Sequence, residues 1–283
     1  MHLYYYKDKI GNFGDDLNPW MWPKILGKPI EDVFDGSYVM IGLGTLLNDI
    51  NLGKVKTPPE KWVVMGSGAG YGHVVITAPL LRRCPRLFVR GPRSAGVLGL
   101  PRDKAIIDPG VLISQLSIPL TREGPRHKAS VLLHHPHHNL VGLVWTKLCD
   151  RLGWNYIDVT RKPEEIIPEL VASEVVISES MHGAICADAV GVPWIPFATS
   201  PRINLFKWLD WSDSISLDVD MNWITPLTLQ RADSKVHVGY IKEVCEQIQG
   251  LYDRAPRYLA SRQLMKALTD RVMEFVGKLL NAS

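Results

Sequence analysis

Cysteine is scarce in this chain of 283 residues. The four, Cys84, Cys149, Cys186 and Cys245, show no CxxC spacing. That argues against a disulfide framework and reads as buried, reduced thiols in the cytoplasm. Long hydrophobic runs are missing too. Nowhere do about 18 apolar residues follow one another, as a spanning helix would need. The first ten residues, MHLYYYKDKI, lack the basic-then-apolar layout of a secretion signal. Charge of one sign is not in excess. Lys and Arg number 32 against 29 Asp and Glu, a net +3, which leaves no footprint for nucleic acid but tolerates an anionic ligand at a local basic site. Neither an internal repeat nor a low-complexity tract occurs.

Apolar residues, by contrast, make up 46% of the chain and charged ones 22%, enough for a substantial packed core. The length fits one large domain or two smaller ones. Short apolar runs at Leu3–Tyr6, Tyr38–Ile41, Trp62–Met65, Leu87–Arg90 and Ala105–Ile107 predict buried parallel strands, and three of them end in glycine-bearing turns. The polar, proline-flanked PLTREGPRHKAS, Pro119–Ser130, reads as a linker. A second alternation follows, with strands predicted at Val131–His134, Tyr156–Val159, Val175–Ser178 and Trp194–Phe197. Helices are predicted between them at Val141–Leu152, Pro163–Ala172 and Ala184–Val190. Such alternation implies βαβ units around parallel sheets, an α/β fold. Leu264, Leu268, Val272, Phe275 and Leu279 share one face of a terminal helix that packs on the body. The expected division is 1–120, 121–235 and a helical tail, 236–283, with ligands in a cleft beyond the carboxyl ends of the strands.

Several motifs fall at that edge. In ESMHG, Gly183 would let the chain turn from strand into helix, whose free amides suit phosphate or carboxylate. His182 beside it suits proton transfer near neutral pH; a half-buried histidine bonded to backbone is the structural alternative. In GSGAGYG, four glycines in seven residues permit close approach of backbone to a ligand, or make only a tight turn. The pattern is neither a dinucleotide fingerprint nor a P-loop. In IGNFGDDLNPW, Asp15 or Asp16 either caps a helix starting near Leu17 or accepts a proton from a sugar hydroxyl. Arg90 in VRGPRSAGVLG either grips a carboxylate or phosphate or bridges domains. LLHHPHHN holds four histidines, but no acid or thiol nearby completes a ligand set, so no metal is expected; His137 is the one placed to face the cleft.

Together, GNFGDDLNPW, IGLGTLLN, VVMGSGAGYG, VRGPRSAGVLG, DPGVL, HPHHN and SESMHGAICADAVGVPWIPF resemble the polysaccharide pyruvyl transferases, from about Gly11 to about Trp211. The similarity is greatest to the branch that places ketal pyruvate on exopolysaccharide sugars, as in succinoglycan synthesis. The resemblance implies two Rossmann-like domains facing a central cleft, similar to the GT-B glycosyltransferases. It also implies transfer of a 1-carboxyethylidene group from phosphoenolpyruvate to two hydroxyls of one sugar on a lipid-linked oligosaccharide, with no cofactor. Many members carry serine–arginine–leucine–histidine–glycine where this chain reads Glu179, Ser180, Met181, His182 and Gly183, so Ser180 stands in place of the arginine.

On that basis the donor falls to Arg90, Ser94, Ser180, Met181, His182 and Gly183, with Arg202 assisting and His137 orienting the leaving phosphate. His182 is the expected proton donor and Asp16 the base, with Asp15 next. The acceptor falls to the two glycine loops: Asn12, Phe13 and Gly14, then Gly66, Ser67, Gly68, Gly70 and Tyr71. Peripheral contact with the inner membrane face through the basic tail helix is a further option. A nucleotide-sugar glycosyltransferase of the same architecture is one alternative, although no clear acidic ribose clamp is seen. A non-catalytic glycan-binding homologue is the other, and the missing arginine favours it.

Overall fold

The computed structural model describes residues 1–118, 126–227 and 235–283. The boundary expected at 120/121, with residues 119–125 of the linker, lies outside them.

Four short strands form the first sheet: β1 (His2–Tyr4), β2 (Val39–Ile41), β3 (Trp62–Met65) and β4 (Arg86–Phe88). All run parallel in the order β1-β2-β3-β4, with Met40 opposite Leu3 and Val63. Every residue of β2 and β3 is buried, as expected where helices cover both sheet faces. Between the strands come α1 (Phe13–Leu26), α2 (Asp49–Leu52) and α3 (Thr77–Arg82), and α4 (Pro92–Val97) follows β4. The strand expected at Ala105–Ile107 is instead one isolated bridge, Val89 to Ala105. β4 stops short of it because Gly91 and Pro92 turn the chain into α4.

α1 starts at Phe13, four residues before the helix expected near Leu17. Pro19 and Pro23 inside it obscure the pattern, since each removes a helical donor. The carbonyl of Asp15, which would otherwise accept from residue 19, takes the Asn18 side-chain amide at 3.0 Å.

The second sheet holds β5 (Ser130–Leu132), β6 (Asn155–Ile157), β7 (Val176–Ser178), β8 (Trp194–Ala198) and β9 (Asn222–Trp223). It too is parallel, in the order β6-β5-β7-β8-β9. Its helices are α5 (His135–Leu152), α6 (Pro163–Val171), α7 (Met181–Ala189) and α8 (Leu205–Ser214). The strand order reverses between β5 and β7, and at such a point the following loops diverge and open a crevice.

Two long helices end the chain, α9 (Lys235–Arg254) and α10 (Arg262–Asn281). The α10 stripe is buried at Leu268, Val272 and Leu279, and Phe275 meets Phe88 edge-on at 5.1 Å. One apolar cluster runs from α1 and the first sheet through β5, α6 and α7 to α10. Trp208 and Trp211 of α8 pack on Trp194 inside it, so these rings serve the core. No helix among the described residues is long and apolar enough to cross a membrane.

Candidate active site

A cavity of about 600 Å³ opens at the carboxyl ends of the strands of both sheets. The loops after β1, β2 and β3 supply one wall. The starts of α5 and α7, on either side of the β5/β7 reversal, supply the other, with Lys207 of α8. Of the residues expected from sequence, Asn12, Asp15, Tyr71, Ser180, Met181 and His182 are brought together here.

α7 begins at Met181, with Ser180 as its cap; the Ser180 hydroxyl accepts the Gly183 amide at 3.4 Å. The amides at the start of a helix have no intrahelical acceptor, so those of Met181 and His182 are free to meet an anion, aided by the helix dipole. Gly183 lies within the helix, not at the turn. Its role is packing: a Cβ there would fall 2.5 Å from Ser178 Oγ and 3.1 Å from Leu132. Gly14 of α1 also answers to close approach, because a Cβ on it would strike the His182 imidazole.

On its other side His182 meets Asp108. Nε2 lies 3.7 Å from Asp108 Oδ2, and both atoms are buried without a hydrogen-bond partner. The second oxygen of Asp108 accepts the Gly110 amide at 2.9 Å, which holds the carboxylate in place. A buried orphan pair at this distance is one small rotation from a hydrogen bond. Asp108 sits in the DPGVL stretch, and no spacing rule joins it to residue 182.

Asp15 and Asp16 divide their roles. Asp16 turns back and accepts the Asn12 amide at 2.9 Å, capping α1. Asp15 faces the cavity and accepts from the Asn12 side chain at 2.6 Å. Burial pushes its carboxyl up to about 6, while the charges of His182 and Lys207 draw it down and those of Asp16 and Asp8 add to the rise. That value suits a base working near neutrality, and the geometry favours Asp15 over Asp16 for that task.

Lys207 is one of the site residues that sequence reading missed, with Asp108, His134 and His135. It lines the cavity, its ammonium 6.0 Å from the Tyr71 ring centroid, and it has no carboxylate within ion-pair distance among the described residues. Burial, then the charge of Arg90, draws its pKa down to about 8, and Asp15 and Asp108 oppose the fall. The ammonium is thus the cavity's uncommitted cation.

Arg90 forms a buried salt bridge and does not face the cavity. It is fully buried, paired with Asp210 of α8 at 3.0 Å, and donates to Thr45 Oγ1 and to the Ala69 carbonyl. Ser94 serves the same joint, donating its amide and hydroxyl to Asp210. Neither lines the cavity, and each nitrogen of the Arg90 fork already has a protein acceptor. Gly68 lies against that fork, and Ser67 braces the Gly44–Leu46 loop. Gly66 packs on Pro109, and the Gly70 carbonyl accepts from Asn204. Phe13 is a core residue. Arg202 is exposed in the turn before α8, away from the cavity wall.

His137 bonds to buried Glu179 at 2.8 Å and to Thr199, inside the first turn of α5, not in the cavity. Glu179 also accepts the His134 and Thr199 amides; burial favours its neutral form, but these bonds outweigh it and hold the carboxyl below its usual range. His134 and His135 line the cavity instead, and burial, then the Lys207 charge, keeps His134 neutral by lowering its pKa to about 4.

The family profile described as polysaccharide pyruvyl transferase matches residues 2–201. The succinoglycan biosynthesis protein ExoV of Rhizobium meliloti (strain 1021) is 36% identical over 220 residues, covering 77% of this chain. The alignment covers 66% of that relative, so this chain spans just under two thirds of its length. Since the match takes in both sheets' contributions to the cavity from Tyr6 to His182, the chain belongs to the polysaccharide pyruvyl transferase family.

Proposed function

We propose that this protein transfers a ketal-linked pyruvate from phosphoenolpyruvate to a pair of hydroxyls on a lipid-linked exopolysaccharide repeat unit, on the cytoplasmic side of the membrane. The two sheets then act as two Rossmann-like domains of GT-B type, the first holding the acceptor and the second the donor. One observation carries the reading. The cavity sets an unpaired lysine and a free helix start beside a histidine and a carboxylate suited to accept a proton.

Phosphoenolpyruvate presents a phosphate and a carboxylate. Lys207 and the Met181 and His182 amides provide two attachment points for them, in place of the arginine that Ser180 replaces. His182, as imidazolium, donates a proton to the methylene carbon, and C2 becomes electrophilic. A sugar hydroxyl adds to C2 and gives its proton to Asp15. A second hydroxyl then displaces phosphate and closes the ketal. Its proton returns to the His182 imidazole, while the proton held by Asp15 leaves on the phosphate. Asp108 faces the imidazolium and opposes its charge. The neutral polar wall of Asn12, Asn48, Asn51 and Asn139, with Tyr6 and Tyr71, suits a sugar ring.

Incubating the protein with phosphoenolpyruvate and extracted lipid-linked oligosaccharide tests this. Mass spectrometry should show the gain of one pyruvate ketal, with one phosphate released per ketal. Nucleotide release from nucleotide sugars, with phosphoenolpyruvate untouched, would refute it.

A further inference from the structure

Exposed apolar surface is concentrated at one place on this protein. Twelve large hydrophobic side chains are exposed among the described residues, and eight of them lie on four segments that also line the cavity. The loop after β1 carries Tyr6 on the wall and Ile10 just beyond it. α2 carries Ile50, and Asp49 clips the stretch before α3 beside it by accepting the Ile76 and Thr77 amides at 3.1 and 2.8 Å. Tyr71, Val75 and Ile76 therefore share that side. On α5, Leu143 extends outward the stripe that His135 and Asn139 present to the cavity, and Leu140 stands next to it. Asp8, 3.7 Å from His135, ties the β1 loop to α5.

The exposure is large, 62% at Ile76 and 83% at Leu143. Apolar patches of this kind mark surfaces that meet a partner. Charge says which partner. Exposed Lys7 and Lys9 alternate with the rim's Tyr6 and Ile10, and exposed Lys147 follows Leu143 by one turn of α5. None of the three has an ion-pair partner among the described residues, whereas the rim acids Asp8 and Asp49 are turned to protein donors. α10 has no such face. Its apolar stripe is buried, and Lys266 and Lys278 pair with Asp270 and Glu274 at 2.6 Å.

We propose that this rim docks on an anionic bilayer, apolar side chains in the headgroup region and lysines against acidic lipid, with the cavity mouth toward the membrane. The orientation rests on the reading of the acceptor as lipid-linked, since a sugar carried on lipid would enter from that side.

Co-sedimentation with phosphatidylglycerol–phosphatidylethanolamine vesicles, against phosphatidylcholine vesicles, reads the docking without any turnover. The expected result is binding to the anionic vesicles and about tenfold or more weaker binding to the zwitterionic ones. The double variant Ile76→Glu, Leu143→Glu should lose about tenfold or more of the anionic partitioning. It should keep its melting temperature and its turnover of a water-soluble acceptor, because neither residue lines the cavity. Ile76→Ser with Leu143→Ser replaces it if the glutamates disturb folding. The α10 pair Lys266→Glu, Lys278→Glu should bind as the unaltered protein does. Failure of the unaltered protein to bind anionic vesicles, or equal binding by the rim variants, overturns the proposal. Self-association through the rim without vesicle binding overturns it too, and assigns the rim to a second copy. Absence of pyruvyl transfer to a soluble acceptor would count against the active-site reading alone, since vesicle binding is scored separately.

Discussion

Replacing Lys207 by methionine removes the cavity's uncommitted cation while keeping most of its apolar stem. A charged hydrogen bond contributes about 1.5–3 kcal/mol, so phosphoenolpyruvate binding should weaken about 10- to 100-fold. The pH profile adds a second readout. In the unaltered protein kcat/KM should fall below about 6, where Asp15 takes up a proton and cannot serve as base. It should fall again above about 8, where Lys207 loses its charge and its hold on the donor. Lys207→Met should erase the part of the alkaline limb that reflects donor KM, while the requirement for a protonated His182 remains. It should also move the acid limb upward, because the Lys207 charge helps to draw the Asp15 carboxyl down and its loss leaves burial less opposed. Phosphate release measured against donor concentration from about pH 5 to about pH 9.5 gives both quantities at once. A variant with unchanged KM for the donor and an intact alkaline limb would refute the assignment of Lys207 to the donor anion.

Asp15→Asn should lower kcat by about 10²–10⁴, as loss of a general base does, while Asp16→Asn, which keeps an acceptor for the Asn12 amide, should stay within a few-fold of normal turnover. Equal losses in both would show that the cap and the cavity act as one unit. Asp108→Asn should lower kcat about 10- to 100-fold with little change in donor KM, and should shift the His182 ring resonances in nitrogen NMR, a signature that a loss of packing alone would not produce. Arg90→Ala leaves Asp210 charged and buried without its partner, so denaturant unfolding should show a loss of about 3–5 kcal/mol. Donor KM in the fraction that remains folded should be nearly unchanged, and a large KM effect there would return Arg90 to the donor site.

Much of the fold can be read in the chain itself. Strands such as VVM and EVVIS are apolar without alternation because helices cover both faces of a parallel sheet, so burial is written directly into composition. Glycine and proline mark where those strands hand over to helices, which puts His182 at a carboxyl edge. The expectations that changed share one cause. Whether Asp15 or Asp16 faces the cavity depends on the phase of α1, which is set by its start at Phe13 and hidden by two prolines. Ala105–Ile107 has strand composition, but its neighbour β4 ends before a ladder can form.

The local sequence thus determined the parallel α/β elements, the helix start at ESMHG and the histidine beside it, because these depend on residues within one or two turns of each other. Only the tertiary structure decided what surrounds that histidine. Arg90 finds Asp210 across 120 residues, His182 finds Asp108 across the space between two sheets, and Lys207 arrives from α8 with no motif to announce it. A charge buried by folding is governed by whichever neighbours share its low-dielectric surroundings, and those neighbours are chosen by packing, not by position along the chain.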